Sequence, residues 1–207
     1  MTLWAVLPVK PLTKGKSRLH GCMTAEEIFS LNNSLFKETY QKLDASDEID
    51  RILVVSQDEQ VLEYTRQMGG FALKENEQSS LNEAVSQALD FIIENHGGKV
   101  LIVPADLPWM TMEDLEALLQ LRKDGQFIII VPDHCQRGTN AILISHPNLL
   151  IPQFGRHSFQ KHTLQAANRS VDLVVWLNKN IQRDLDTPQD LVFYNKIKLN
   201  PIHIFTE

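Results

Sequence analysis

Two runs of four residues without a polar side chain, Ile52-Leu53-Val54-Val55 and Val100-Leu101-Ile102-Val103, constrain this chain more than any other feature. A strand with one face in water alternates apolar and polar residues, so an unbroken apolar run of strand length belongs to a strand covered on both faces. Helices must therefore lie on both sides of the sheet, and the chain supplies them. Apolar runs at Leu3 to Val9, Arg51 to Ser56, Phe71 to Lys74, Lys99 to Pro104 and Gln126 to Val131 alternate with amphipathic segments from Thr24 to Leu43, Asp58 to Met68, Ser80 to His96 and Thr111 to Lys123. This rhythm predicts an α/β fold, a mainly parallel mixed sheet flanked by helices, with the two apolar runs in its middle.

The helix starts carry chemical signals. Thr24 with Glu27 and Ser80 with Glu83 are capping boxes, and Thr111 with Asp114 is the aspartate version. After Val131 the rhythm changes: strands from Asn140 to Ser145 and Val171 to Leu177 are separated by a loop and a helix from His157 to Asn168, which predicts an antiparallel excursion at the sheet edge. Thr187 as N-cap and Pro188 at the first helical position open a last helix. Residues Leu199 to Glu207 carry no clear pattern. At 207 residues the chain is expected to form a single domain over 1–207.

The formal net charge is -6, which argues against a nucleic-acid-binding face. No apolar stretch approaches the roughly 20 residues of a membrane span, and the first residues run straight into a strand pattern, so a cytoplasmic protein without a membrane partner is expected. Cys22 and Cys135 are far apart and form no metal or disulfide pattern. Against the acidic background, the nine residues from Lys10 to Arg18 hold Lys10, Lys14, Lys16 and Arg18 and no anion. A loop of that kind following a strand can hold a polyphosphate, because ammonium and guanidinium groups offset oxyanion charge at close range.

Carboxylates follow at other strand ends. Asp106, in Pro104-Ala105-Asp106-Leu107-Pro108, is placed to hold a divalent ion beside bound phosphates. Asp184 and Asp186 stand just before the last helix, where a negative charge also suits the helix dipole. A basic loop and carboxylates from separate strand ends are the parts that metal-assisted phosphoryl or nucleotidyl transfer requires. Arg137-Gly138-Thr139-Asn140 enters a strand and Phe154-Gly155-Arg156-His157-Ser158-Phe159 enters a helix; together they suggest a second anion site. His157 and His162 are five apart and share no helical face well, so neither reads as a metal ligand, and His162 is the one expected to touch a ligand.

Taken in order, Leu7-Pro8-Val9-Lys10, Lys16-Ser17-Arg18-Leu19, Leu81-Asn82-x-Ala84, Pro104-Ala105-Asp106-Leu107-Pro108, Pro132-Asp133 with Gly138-Thr139-Asn140-Ala141, Phe154-Gly155-x-x-Ser158-Phe159 and Asp184-Leu185-Asp186-Thr187-Pro188 resemble the guanylyltransferases of coenzyme F-420 biosynthesis, the CofC/FbiD family. The resemblance implies a Rossmann-like, nucleotide-diphospho-sugar transferase-like three-layer sandwich. It also implies transfer of GMP from GTP to 2-phospho-L-lactate, phosphoenolpyruvate or 3-phospho-D-glycerate, with pyrophosphate released and Mg2+ as cofactor. On this resemblance Leu7, Pro8, Val9, Lys10, Lys16, Arg18, Asn82, Pro104 and Asp106 fall in the nucleotide region. Thr139, Asn140, Gly155, Ser158 and His162 fall on the acid side, and Asp106 and Asp186 match the magnesium carboxylates, so that Lys16, Arg18, Asp106 and Asp186 form the catalytic set. Ser80 stands where the family has glycine before Leu-Asn. Expected partners are GTP, the acid and a downstream transferase that takes the activated product, with a homodimer left open. The alternatives are another nucleotidyltransferase of the same fold, acting on the molybdenum cofactor or a sugar phosphate, and a catalytically silent nucleotide-binding module. The first loop lacks G-x-G-x-x-G, which argues against a dinucleotide-dependent oxidoreductase.

Overall fold

A computed structural model describes residues 2–76, 79–169 and 171–199, the last three of these by backbone alone. Seven strands, β1 (Leu3–Val9), β2 (Arg51–Ser56), β3 (Phe71–Lys74), β4 (Lys99–Ile102), β5 (Phe127–Pro132), β6 (Thr139–Ile144) and β7 (Asp172–Val175), form one sheet in the order β3-β2-β1-β4-β6-β5-β7. Among the described residues five α-helices lie between strands, α1 (Ala25–Asp44), α2 (Glu59–Gln67), α3 (Leu81–Glu94), α4 (Met112–Gln120) and α5 (Ser158–Arg169), and α6 (Pro188–Leu199) follows β7. The three predicted capping boxes are formed at Thr24, Ser80 and Thr111, each with its side chain taking the third helical amide and the acid at that position returning to the cap amide.

The apolar runs divide by alternation between two cores. Leu3, Ala5, Leu7, Ile52, Val54, Leu101 and Val103 face α1, α2 and α4. Trp4, Val6, Leu53, Val55, Val100 and Ile102 face α3 and α5. Both neighbours of each central strand are apolar because both faces are helix-covered, which is the two-sided burial the sequence required. A third cluster, of Leu19, Ile28, Leu31, Leu35, Leu185 and Tyr194, seats the basic loop against α1 and α6.

One topological expectation is corrected. β6 is antiparallel to both β4 and β5, yet it lies between them in the interior of the sheet, while β7 is parallel to β5. Ile142, Leu143 and Ile144 are fully buried, and a strand apolar on both faces cannot stand at an open edge. The reversal has a positional consequence: β6 begins where its neighbours end, so Thr139 emerges at the edge of the sheet that also carries the loops after β1 and β4. Residues 200–207, which showed no pattern, lie outside the described residues.

Candidate active site

From β1 the chain builds β2 and β3 on one side, then returns to lay β4 on the other, so β1 and β4 flank a topological switch point. Open α/β sheets bind ligands in the crevice outside the carboxyl ends of strands at such a point. A cavity of about 650 Å³ opens there, and its walls include Pro8, Val9, Lys10, Lys16, Pro104, Asp106, Thr139 and Asp186.

The polar centre of the cavity is an ion cluster assembled from far-apart segments. Lys16 Nζ donates to Asp106 Oδ2 at 2.7 Å and to Asp186 Oδ1 at 3.3 Å, with only 6% of the lysine side chain exposed. Burial opposes the charge on this ammonium, but Asp106 and Asp186 outweigh it and raise its pKa above the ordinary lysine value. Lys16 is held in the left-handed region at φ 49°, ψ 32°, a conformation rarely taken outside glycine, so the loop spends backbone strain to aim this side chain. Asn32 clamps the loop from below, donating to the carbonyls of Leu12 at 2.9 Å and Lys14 at 3.3 Å.

The carboxylates meet because the Leu185 amide donates to the Asp106 carbonyl at 3.0 Å, which stitches the segment before α6 onto the loop after β4. Asp106, Asp184 and Asp186 then offer ligand oxygens within 4.8 Å of one another. Burial first, and then the charges of Asp106 and Asp186, hold the Asp184 carboxyl above the usual range. An all-oxygen donor set with excess negative charge suits a hard divalent cation and does not suit one that prefers sulfur or imidazole. On the far side of the cluster, Thr187 and Asp190 close a reciprocal cap on α6, with Asp190 accepting from the Thr187 amide at 2.9 Å.

The wall around Thr139 is built differently. The Gln153 amide donates to His162 Nε2 at 3.1 Å, so the proton of the neutral imidazole sits on Nδ1, facing Thr139 Oγ1 at 3.1 Å. Burial, with a smaller effect of Lys161, lowers the His162 pKa to about 4 and keeps the ring neutral. The threonine oxygen thus accepts from His162, and its own hydrogen is left to donate. The ring of His162 also meets Phe154 edge-on, with centroids 5.0 Å apart. Phe154 is fixed a second time: its amide donates to Asn82 Oδ1 at 2.6 Å and its carbonyl accepts from Asn82 Nδ2 at 3.3 Å. Gly155 follows at φ 102°, where a side chain would be strained, and the buried Ser158 hydroxyl at the start of α5 has no hydrogen-bond partner among the described residues.

The structure gives several of the expected contact residues partners within the protein itself. His162 is fully buried with both ring nitrogens engaged by protein, so it supports Thr139 and Gln153 and presents no free polar atom. Asn82 spends its amide on Phe154, Asn140 donates to the Ile181 carbonyl at 2.9 Å, and Leu7 belongs to the core. Arg18 bonds Asp186 at 3.3 Å from outside the cavity, with 69% of its side chain exposed. Ser80 has φ -82° and ψ 164°, ordinary for any L residue, and serves as the α3 cap, so its replacement of glycine costs the backbone nothing. Asp184 joins the two expected metal carboxylates, and Asn32, Gln57, Glu75 and Ser79, which no motif singles out, also line the cavity. Asp184 was the recoverable one, since Asp-x-Asp before a capped helix was in view.

Comparison with known proteins identifies the family. Residues 3–194 match the family model described as Guanylyl transferase CofC like, and the chain belongs to that family. It is 35% identical over 191 residues to a phosphoenolpyruvate guanylyltransferase of Sphaerobacter thermophilus, covering 92% of this chain and 91% of the relative. It is 31% identical to a 2-phospho-L-lactate guanylyltransferase of Methanosphaera stadtmanae, covering 90% and 80% of the two chains. Among solved structures, a nucleotidyl transferase from Methanothermobacter thermautotrophicus superposes with a TM-score of 0.68 at 13% identity, over 97% of this chain and 99% of that one, a likeness of fold. A putative nucleotide-diphospho-sugar transferase from Desulfovibrio desulfuricans superposes with a TM-score of 0.76 at 16% identity, over 97% of this chain and 90% of that one, so the fold is one shared by nucleotide-diphospho-sugar transferases and nucleotidyltransferases.

Proposed function

We infer that this protein is a guanylyltransferase that moves GMP from GTP onto the phosphate of a phosphorylated three-carbon acid and releases pyrophosphate. The observation that carries the reading is the Asp106, Asp184 and Asp186 cluster around the Lys16 ammonium, set in a cavity at the switch point of the sheet. The acids are those named for the relatives, phosphoenolpyruvate and 2-phospho-L-lactate, with 3-phospho-D-glycerate as the third candidate. These differ by small groups, a discrimination worth about 1–3 kcal/mol and set by pocket shape.

A phosphate oxygen of the acid attacks the α-phosphorus of GTP in line. The bond from that phosphorus to the bridging oxygen breaks, and its electron pair leaves on pyrophosphate. Lys10 and Lys16 offset the charge of the triphosphate, and Arg18 adds a cation at the exposed side of the cluster. Mg2+, held by Asp106 and Asp186 with Asp184 as a further oxygen donor, would supply charge compensation at the transferring phosphate. The Thr139 hydroxyl, freed as a donor by His162, and the unpartnered Ser158 hydroxyl are the groups to hold the acid, with the start of α5 favouring its negative charge. The attacking phosphate is already ionised, so no covalent enzyme intermediate is required.

The expected setting is cytoplasmic, within coenzyme F-420 assembly, with a downstream transferase consuming the product; no helix among the described residues is long and apolar enough to cross a membrane. Mass spectrometry after incubation with GTP, Mg2+ and the three acids in competition tests the reading. One guanosine-diphosphate-linked acid should accumulate with stoichiometric pyrophosphate. Pyrophosphate release with CTP or a sugar phosphate, and none from GTP with any of the acids, would overturn it.

A further inference from the structure

Transfer of a guanylyl group requires that the cavity tell guanine from other bases, and this inference rests on the guanylyl reading above. Guanine displays two adjacent donors, N1–H and the 2-amino group, beside the O6 acceptor. A carboxylate is their natural complement, since it offers about four acceptor positions and no donor. Three carboxylate residues line the cavity among the described residues: Asp106, Asp186 and Glu75. The first two share Lys16 at the phosphate end. Glu75 stands apart, one residue past the end of β3, and β3 is three strands from β4 in the sheet. At the usual strand spacing of about 4.8 Å, the two strand ends are about 14 Å apart along the edge.

The surroundings of Glu75 fit a purine. Ser79, which also lines the cavity, donates its hydroxyl to Glu75 Oε1 and fixes the carboxylate while using only one of its acceptor positions. The Glu75 amide is anchored to the Ser56 carbonyl at 2.9 Å, so the residue is tied to β2. Leu81, at the first position of α3, lines the same wall with 40% of its surface exposed, and Val85 lies one turn further along. An exposed leucine on the same wall as a fixed carboxylate provides an apolar contact and an edge acceptor together. We propose that Glu75 reads the base of the nucleotide, accepting from N1–H and the 2-amino group of guanine while Leu81 packs on its face. Adenine and cytosine would turn a ring-nitrogen lone pair toward the same carboxylate, which rejects them by repulsion as well as by a lost hydrogen bond.

The test is calorimetric binding of GTP, ITP and XTP to the full chain and to its Glu75→Gln variant, with Mg2+ present. Because binding needs no acid acceptor, GTP that is bound selectively but transferred to nothing would defeat the guanylyltransferase reading and leave the Glu75 assignment standing. The wild type should bind GTP at least about tenfold more tightly than ITP or XTP, the scale of one hydrogen bond to a charged group. Glutamine still accepts from N1–H but presents a donor to the 2-position, so the variant should lose GTP affinity and gain XTP affinity until the preference inverts. A merely structural defect lowers both affinities together. An unchanged GTP-to-XTP ratio in the variant, or a wild type that binds the three nucleotides equally, would overturn the assignment.

Discussion

The two walls of the cavity hold their functional groups by opposite means. Around Lys16, charge holds charge: a buried ammonium is shared by two carboxylates, with a third carboxylate close by. On the Thr139 side the hydrogen-bond chain through His162, Gln153, Asn82 and Phe154 contains no ion pair. The difference separates chemistry from shape. An ammonium spread over two carboxylates can exchange one for a phosphate oxygen without refolding its neighbours, whereas a neutral network is worth most when every member is satisfied. The charged end should therefore govern turnover, and the neutral wall should govern stability and the fit of the acid.

The harshest test of that division is Asp106→Asn. It preserves size and removes charge, and it should lower kcat by at least ~100-fold, the scale for one main electrostatic element, with little change in thermal unfolding. Near-normal steady-state turnover would take Asp106 out of the chemistry. Lys16→Met should lower kcat by roughly 10- to 100-fold, since a neighbouring cation in Arg18 remains. His162→Phe addresses the other wall: it keeps an aromatic ring but leaves the Gln153 amide and Thr139 without their partner. It should cost about 1–3 kcal/mol in denaturant unfolding and raise KM for the acid more than it lowers kcat. A fall in kcat as deep as that of Asp106→Asn would erase the distinction between the walls.

The pH dependence sharpens the same contrast. The folded-state pKa of His162, about 4, is below its ordinary value of 6.5, so between these values the unfolded chain binds the extra proton. The stability gained from the neutral ring is complete above pH 6.5 and is lost as pH falls toward 4, at up to about 1.4 kcal/mol per unit for one proton. Unfolding measured at pH 7 and pH 5 should show this loss in the wild type and not in His162→Phe. The smallest effect belongs to Arg18→Ala. Its side chain is mostly exposed at the rim of the cluster, where solvent screens its charge, so pyrophosphate release should slow by only a few fold, and loss of the ion pair with Asp186 should change stability by about 0–1 kcal/mol.

Much of this arrangement could be read before any coordinates. The apolar quartets required two-sided burial, and the capping boxes marked three helix starts to the residue. The concentration of cations at Lys10 to Arg18 pointed to a loop that borders the cavity. A residue's identity, by contrast, leaves its partner open. Asn82 and His162 carry groups suited to a ligand, yet both are consumed by backbone amides and carbonyls from the 153–154 segment or by Thr139. Glu75 had no motif around it, and only its place at the end of β3 beside the cavity gives it meaning.

By itself the chain of residues determined the element types, the two helix-covered faces and the family, because periodicity, caps and ordered motifs are properties of neighbours in sequence. Tertiary structure decided that β6 runs backward inside the sheet, that Asp184 joins Asp106 and Asp186, and that Lys16 lies between carboxylates 90 and 170 residues away. Those outcomes depend on which strand ends become neighbours, and hydrogen bonding and packing across the sheet set that adjacency, whatever the local pattern of any one segment.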